Sequence, residues 1–270
     1  MSETWERLKV TLSQLGIEPK KSLGQNFLIS DQVIGKIIRA AQESKPGFLL
    51  EIGPGPGALT YHLRKIPTQF QLIELDRVIS QYWREQGLAL IEADALQLDW
   101  SPFFQQKRPL TLVSNLPYQI SSSLVIDRSL DAEPLDFMVL MFQKEVAQRL
   151  RARIQDELYG MLSVVAQSFW KMETLADVSS RDFFPPPKVS SRVLTFEKKT
   201  SPVADKRKYF RFVKAAFLHP RKLMASNLEE GLSISKEKSM ETLKSLKLPE
   251  KARAGELSVQ QFVDFYHQLG

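Results

Sequence analysis

The chain has 270 residues, with 37 Lys+Arg against 31 Asp+Glu for a net charge of +6, and is 43% hydrophobic and 25% charged. That length allows one to two domains with a substantial core, and the composition is far from that of a disordered chain. Cysteine is absent, which excludes disulfides, thiolate nucleophiles and thiolate metal sites, while His62, His219 and His267 are too scattered for a multi-histidine centre or a Ser/His/Asp triad.

The N-terminus, Met1 to Arg7, contains acidic residues and no apolar core, so it does not read as a secretory signal. No stretch approaches the roughly 18 apolar residues of a membrane span. The expectation is a cytoplasmic protein with no membrane contact. From Phe48 onward, short apolar runs alternate with longer amphipathic segments. The runs are Phe48–Ile52, Phe70–Leu75, Leu88–Ile91, Leu110–Val113 and Phe137–Phe142. Each is bounded by Gly, Pro or polar residues, as buried parallel strands are. Helix-length segments lie between them, such as Pro56 to Lys65 and Arg77 to Gln86. This alternation predicts a doubly wound parallel sheet with helices on both faces. Val189 to Glu197 reads as a late strand, with antiparallel pairing considered.

The first run leads into Glu51-Ile52-Gly53-Pro54-Gly55-Pro56-Gly57. Alternate glycines let the backbone turn tightly and approach a ligand at a helix start. The spacing is not the Gly-x-Gly-x-x-Gly of dinucleotide folds, and the prolines remove amides that a pyrophosphate would use. A nucleoside without phosphates fits better. Glu74 follows 23 residues after Glu51, where an acidic side chain accepts from ribose hydroxyls. Asp94 closes the third strand and is placed to accept from an adenine amino group. Each alone reads equally as a turn or cap. Together they form an adenosine-shaped cradle, and S-adenosyl-L-methionine is the cofactor that suits it.

The fourth strand runs into Ser114-Asn115-Leu116-Pro117-Tyr118. Asn-x-Pro-Tyr at that place resembles the signature of methyltransferases that act on an exocyclic amine. An adenine amine is a poor nucleophile because its lone pair is conjugated with the ring. The Asn115 side-chain oxygen and the Leu116 carbonyl can accept its two N–H bonds and aim the lone pair at a methyl donor. Pro117 fixes the turn, and Tyr118 offers a ring for the base. Positioning supplies most of such catalysis, and no strong base is needed.

Beyond residue 200 the pattern turns helical, as over Lys206 to Leu218 and Val259 to Leu269. Residues 201–270 hold 13 Lys+Arg against 8 Asp+Glu, a net of +5, which leaves +1 for the other 200 residues. Most of the excess lies in 198–222, where nine basic residues face Asp205 alone. Alone, such a run reads as a solvated helix face; beside the adenosine cradle and the amine-accepting corner it reads better as an RNA grip, which gives a domain at 1–200 and a helical RNA-binding domain at 201–270.

Together with Lys21-Ser22-Leu23-Gly24-Gln25-Asn26-Phe27-Leu28, the motifs above resemble those of the ribosomal RNA adenine dimethyltransferases. Gln143 to Leu150, Tyr159 to Ser163 and Phe183 to Val189 resemble the small-subunit (16S) KsgA/RsmA type. The resemblance runs from about residue 20 to the end and includes Arg253 to Ser258. It implies a Rossmann-like seven-stranded class I methyltransferase sheet with a small C-terminal helical domain. It also implies dimethylation of two adjacent adenosines in a hairpin loop near the 3′ end of small-subunit rRNA, on an immature 30S subunit, by a monomer with a role in ribosome biogenesis. Carried over by position, cofactor contacts fall on Asn26, Leu28, Gly53, Gly55, Glu74, Asp94 and Asn115. The base pocket falls on Asn115 to Tyr118 with Phe183, although Phe183 reads equally as core. Arg149, Arg221 and Lys222 become RNA contacts. Gln119 stands where the family favours Asn, and His219-Pro220 where relatives tend to carry Arg or Gln. Two rivals remain: a large-subunit rRNA adenine methyltransferase and a non-catalytic assembly factor. A DNA adenine methyltransferase fits less well, since no separate base-reading domain is apparent.

Overall fold

The structure is a computed structural model that describes residues 2–16 and 26–269. The chain divides into two compact units. The first is a sheet with helices packed on it. Helix α1 (Glu3–Leu15) is followed by the two-residue strand β1 (Phe27–Leu28) and α2 (Asp31–Glu43). Then come β2 (Phe48–Ile52), α3 (Thr60–Leu63), β3 (Gln69–Glu74), α4 (Arg77–Glu85) and β4 (Ala89–Glu92). The alternation continues through α5 (Ser101–Phe104), β5 (Leu110–Ser114), α6 (Tyr118–Leu130), β6 (Phe137–Gln143) and α7 (Lys144–Arg151). After α8 (Met161–Phe169), strands β7 (Trp170–Val178), β8 (Phe183–Phe184) and β9 (Ser191–Lys198) complete the sheets.

The main sheet has seven strands in the order β4-β3-β2-β5-β6-β9-β7, with the first five parallel and β9 antiparallel to β6. The strand order reverses between β2 and β5: β3 and β4 follow on one side, and β6 on the other. That reversal opens a crevice at the carboxyl ends of the strands, where doubly wound sheets bind ligands. Strands β2 and β5 are buried throughout, which is why they read as largely apolar runs, broken only by Glu51, Thr111 and Ser114. Helix α2 covers one face with Val33, Ile34, Ile37, Ala40 and Ala41, the i, i+1, i+4, i+7, i+8 stripe of an amphipathic helix. These residues share a cluster with Leu49, Val113, Val139 and Val193 from the strands. Each fully buried aliphatic side chain contributes about 1.5–3 kcal/mol.

The expected helix over Pro56 to Lys65 shrinks to α3. Gly53, Gly55 and Gly57 all hold positive φ, at 66°, 50° and 95°, and Gly57 N donates to Pro54 O at 2.9 Å. The backbone turns as a loop until Leu59, so the helix starts late. Strand β7 was not visible in the sequence. Its burial alternates weakly, and Lys171, Glu173 and Thr174 dilute the apolar signal.

The second unit gathers residues 128–132, 148–171 and everything from Lys199 onward. It is therefore larger than the 201–270 domain expected from composition. The reason is packing: Trp170 Nε1 donates to Ser129 Oγ at 2.9 Å, and α8 lies against both α9 (Lys206–Ala216) and α12 (Val259–Leu269). An aromatic cluster of Tyr209, Phe212, Phe262 and Phe265 fills its centre. Helices α10 (Met224–Leu232) and α11 (Lys236–Ser245) complete it. No helix among the described residues is long and apolar enough to cross a membrane.

The glycine loop yields a stability contrast. A Cβ on Gly57 would lie 2.6 Å from two ring carbons of Trp83, whereas one on Gly53 would meet nothing within 4 Å. Both positions carry positive-φ strain of about 1 kcal/mol, and a clash with a buried ring adds roughly 1–3 kcal/mol. Thermal denaturation should therefore show Gly57→Ala as clearly less stable than Gly53→Ala. Equal melting temperatures would mean that Trp83 does not set the loop.

Candidate active site

Parallel register brings the strand ends together. Ile52 pairs with Ile73, and Glu74 lies opposite Glu92, so the residues after β2, β3 and β4 leave the sheet along one edge. Ser114 Oγ donates to Ile52 O at 2.5 Å, tying the end of β5 to the end of β2. Two cavities lie along this edge and share Gly53, Glu74 and Pro117.

The first cavity is bounded by Asn26 and Leu28 on one side and by Gly53 and Gly55 on another. Asn115, Leu116, Pro117 and Tyr118 form the side that follows β5. The second cavity, of about 460 Å³, adds Asp94, Leu75 and Gln119. Segment Lys21 to Gln25 lies outside the described residues. Every sequence-derived cofactor residue thus borders one cavity or the other. Leu75 and Phe27 also line them and went unassigned from the sequence, although Leu75 sits between the two acidic residues of the strand-end motif.

The loop is held from behind. Trp83 Nε1 donates to Gly55 O at 2.8 Å, and its ring fills the space beside Gly57. The Glu74 carboxylate is turned onto backbone amides: Oε1 accepts from Leu75 N at 2.8 Å and Asp76 N at 2.9 Å, and Oε2 from Gly55 N at 3.4 Å. Burial nevertheless pushes its pKa above the usual carboxylate range, because those amides only partly replace lost water. Asp94 lies two residues beyond β4, and its Oδ1 accepts from Leu96 N at 2.9 Å. It therefore caps a turn as well as lining the cavity.

At the reactive corner, Asn115 Nδ2 donates to Asn26 O at 3.3 Å. A carbonyl can only accept, so the nitrogen must face Asn26, and Oδ1 is left as an acceptor. Tyr118 OH is paired with Ser191 Oγ at 2.7 Å. Burial raises the phenol pKa, so Tyr118 stays neutral near pH 7 and contributes a fixed ring rather than a base.

For Phe183 the sequence left a base-pocket role and a core role open, and its surroundings are those of the core. It is 3% exposed, lines neither cavity and belongs to the core cluster around α2. The cause is strand alternation: Phe183 pairs with Leu28 in the two-stranded β1–β8 sheet and points inward, while Phe184 pairs with Phe27 and is 36% exposed.

In the second unit, Arg149, Arg221 and Lys222 are all exposed. Lys222 Nζ shares Glu230 with His219, at 3.1 and 2.8 Å. Buried Asn227 donates to Ala216 O and His219 O, which holds the turn that carries Arg221 and Lys222. On α9, Arg207, Lys208, Arg211 and Lys214 are exposed on the side opposite the buried Tyr209 and Phe212. Lys206 instead donates to Asp131 O at 2.6 Å.

Comparison with known proteins adds the following. A family described as "Ribosomal RNA adenine dimethylase" matches residues 17–269. A protein of Bdellovibrio bacteriovorus, "Ribosomal RNA small subunit methyltransferase A", is 53% identical over 273 residues, covering 100% of this chain and 99% of that protein. A solved dimethyladenosine transferase from Plasmodium falciparum superposes with a TM-score of 0.71 at 25% identity, covering 88% of this chain and 95% of that one. The solved 23S rRNA methyltransferase ErmE shares the fold, with a TM-score of 0.65 at 22% identity over 90% of this chain and 99% of that one.

Glu51 was not assigned from the sequence. It is fully buried in β2, its Oε2 has no hydrogen-bond partner, and burial pushes its pKa to about 8. Because the folded pKa lies above the ordinary 4.5, Glu51 favours the fold below pH 4.5 and that contribution is lost as pH rises through 8. The loss is on the order of a few kcal/mol. Glu51→Gln, which stays neutral, should flatten the fall in melting temperature between pH 4.5 and 8. An unchanged slope would show that Glu51 is not enclosed as described.

Proposed function

The chain belongs to the ribosomal RNA adenine dimethylase family, and from that premise we propose that it dimethylates two adjacent adenosines in the 3′-terminal hairpin loop of small-subunit rRNA. What supports this reading is that Asn115, Leu116, Pro117 and Tyr118 all border the cavity edge that also carries Glu74, with the Asn115 amide nitrogen turned to Asn26 O.

The residues present suit S-adenosylmethionine. Glu74 carries acceptors where ribose hydroxyls would lie, and Gly53 leaves open space where a side chain would block a ligand. Leu75, 68% exposed at the second cavity, offers an apolar face for a planar base. Bound there, S-adenosylmethionine supplies an electrophilic methyl group on a sulfonium. Asn26, Leu28, Gly53 and Gly55 hold the methyl-donating end, with Glu74 and Asp94 on the nucleoside. Asn115 Oδ1 and Leu116 O accept the two N–H bonds of the target amine, which draws its lone pair out of conjugation. Pro117 keeps that pair of acceptors at a fixed turn, and the Tyr118 ring stacks on the adenine. Phe183 supports Leu28 from the core side. After transfer the nitrogen sheds a proton to solvent, and the second methylation uses the same corner.

We assign RNA holding to the second unit. Arg149, Arg221 and Lys222, with the basic face of α9, would contact phosphates, so binding should weaken steeply with salt and carry little sequence information. The protein acts as a monomer on an immature small subunit in the cytoplasm.

The reading is tested by incubating labelled S-adenosylmethionine with unmethylated small subunits, large subunits and duplex DNA, then digesting to nucleosides. Dimethyladenosine should come from small-subunit RNA alone. Label in large-subunit RNA only would overturn the proposal, and cofactor binding with no transfer would favour an assembly factor. Asn115→Ala should lower transfer by about a hundredfold or more while RNA binding persists, as loss of one oriented partner does elsewhere.

A further inference from the structure

Helix α1 presents residues that neither cavity uses. Its first turn is fixed to α2. The Asp31 carboxylate accepts from Glu3 N at 3.1 Å, Thr4 N at 3.3 Å and Thr4 Oγ1 at 2.5 Å. Ser2 Oγ donates to Ile29 O at 2.8 Å, and Thr4, Leu8 and Thr11 are buried beneath the helix. This anchoring sets Trp5 against Phe184, with ring centroids 4.8 Å apart and planes at 63°.

The pair is continuous with the active site. Phe184 is the ladder partner of Phe27, and Phe27 lines the first cavity. Lys9 Nζ lies 5.5 Å from the centre of the Trp5 ring. Its ion pair with Glu6, at 2.8 Å, is exposed, so it is weak and exchangeable for a phosphate. Two half-open aromatic rings, a lysine over one of them and a cavity lined by the ladder partner of the other make the combination that holds single-stranded nucleic acid: stacking faces with a cation for the backbone.

We propose that Trp5 and Phe184, with Lys9, form a second platform on which an unpaired base flanking the target adenosine stacks. This rests on the reading of the cavity edge as the site of adenosine methylation. An adenine drawn into the Asn115 corner must leave its neighbours, whose exposed faces then need cover. The platform supplies it, and it would hold the adjacent nucleotide while the first amine reacts.

The other three tryptophans, Trp83, Trp100 and Trp170, are at most 4% exposed, so quenching by a short single-stranded oligoadenylate reports chiefly on Trp5. Wild type should be quenched, and Trp5→Leu should not. With unmethylated small subunits, Trp5→Leu should raise KM about tenfold at nearly unchanged kcat, the scale of one lost stacking contact. Trp5→Phe should restore most of it, and melting temperature and S-adenosylmethionine affinity should stay near wild type. An abasic nucleotide on one side of the target should weaken wild type by a similar factor and leave Trp5→Leu unaffected. No quench, or equal abasic penalties in both proteins on either side, overturns the platform. Because the oligoadenylate readout needs no methyl transfer, a wild type that fails to label small-subunit RNA refutes the functional reading separately.

Discussion

The glycine loop after β2 must bend through three positive-φ glycines with Trp83 packed directly behind it, and the site is arranged around that bend. The indole N–H holds Gly55 O, and the ring, with that of Tyr61, closes the space a Gly57 side chain would enter. Fixed in this way, the loop turns Gly55 N towards Glu74 and leaves Gly53 open to both cavities. The parallel register of β2, β3 and β4 then brings Glu74 and Asp94 to the same edge. The reactive corner is coupled to it through Ser114, which bonds the last carbonyl of β2.

Two carboxylates are buried at a cost to stability. Glu51 and Glu74 both have raised pKa values, chiefly through desolvation, and Glu51 has an oxygen with no partner. Folding alone would favour neutral residues there. Glu74 borders both cavities, where a nucleoside bearing hydroxyls gives a buried carboxylate a use, since functional groups are often kept where the fold would prefer otherwise. The basic residues of the second unit follow the opposite rule. They are exposed, cost little to keep, and suit a contact made mainly with phosphates.

Much of the fold was legible because burial leaves a direct imprint. Strands β2 and β5 are buried on both faces, and their sequences are apolar runs with few interruptions. Strand β7 lies at the sheet edge, is interrupted by Lys171, Glu173, Thr174 and Asp177, and was missed. The site motifs were visible because loop chemistry demands Gly, Pro, Asn and acidic residues at set spacings. Side-chain direction was not. Phe183 and Phe184 are adjacent and chemically alike, and only the pairing with β1 decides which one turns inward. The enclosure of Glu51 was equally hidden, because it depends on neighbours brought in by the sheet. Composition located a change near residue 200 but could not show that 128–132 and 148–171 pack with the later helices.

The central claim is that the strand-end carboxylates and Asn115 hold a methyl donor and a target adenine along one edge. A crystal structure with S-adenosylhomocysteine and adenosine tests it most directly. Ribose hydroxyls should lie on the Glu74 carboxylate and the adenosine amine about 3 Å from Asn115 Oδ1, within hydrogen-bond distance. A nucleoside bound away from both cavities, or an amine turned from Asn115 while both ligands are present, would contradict it.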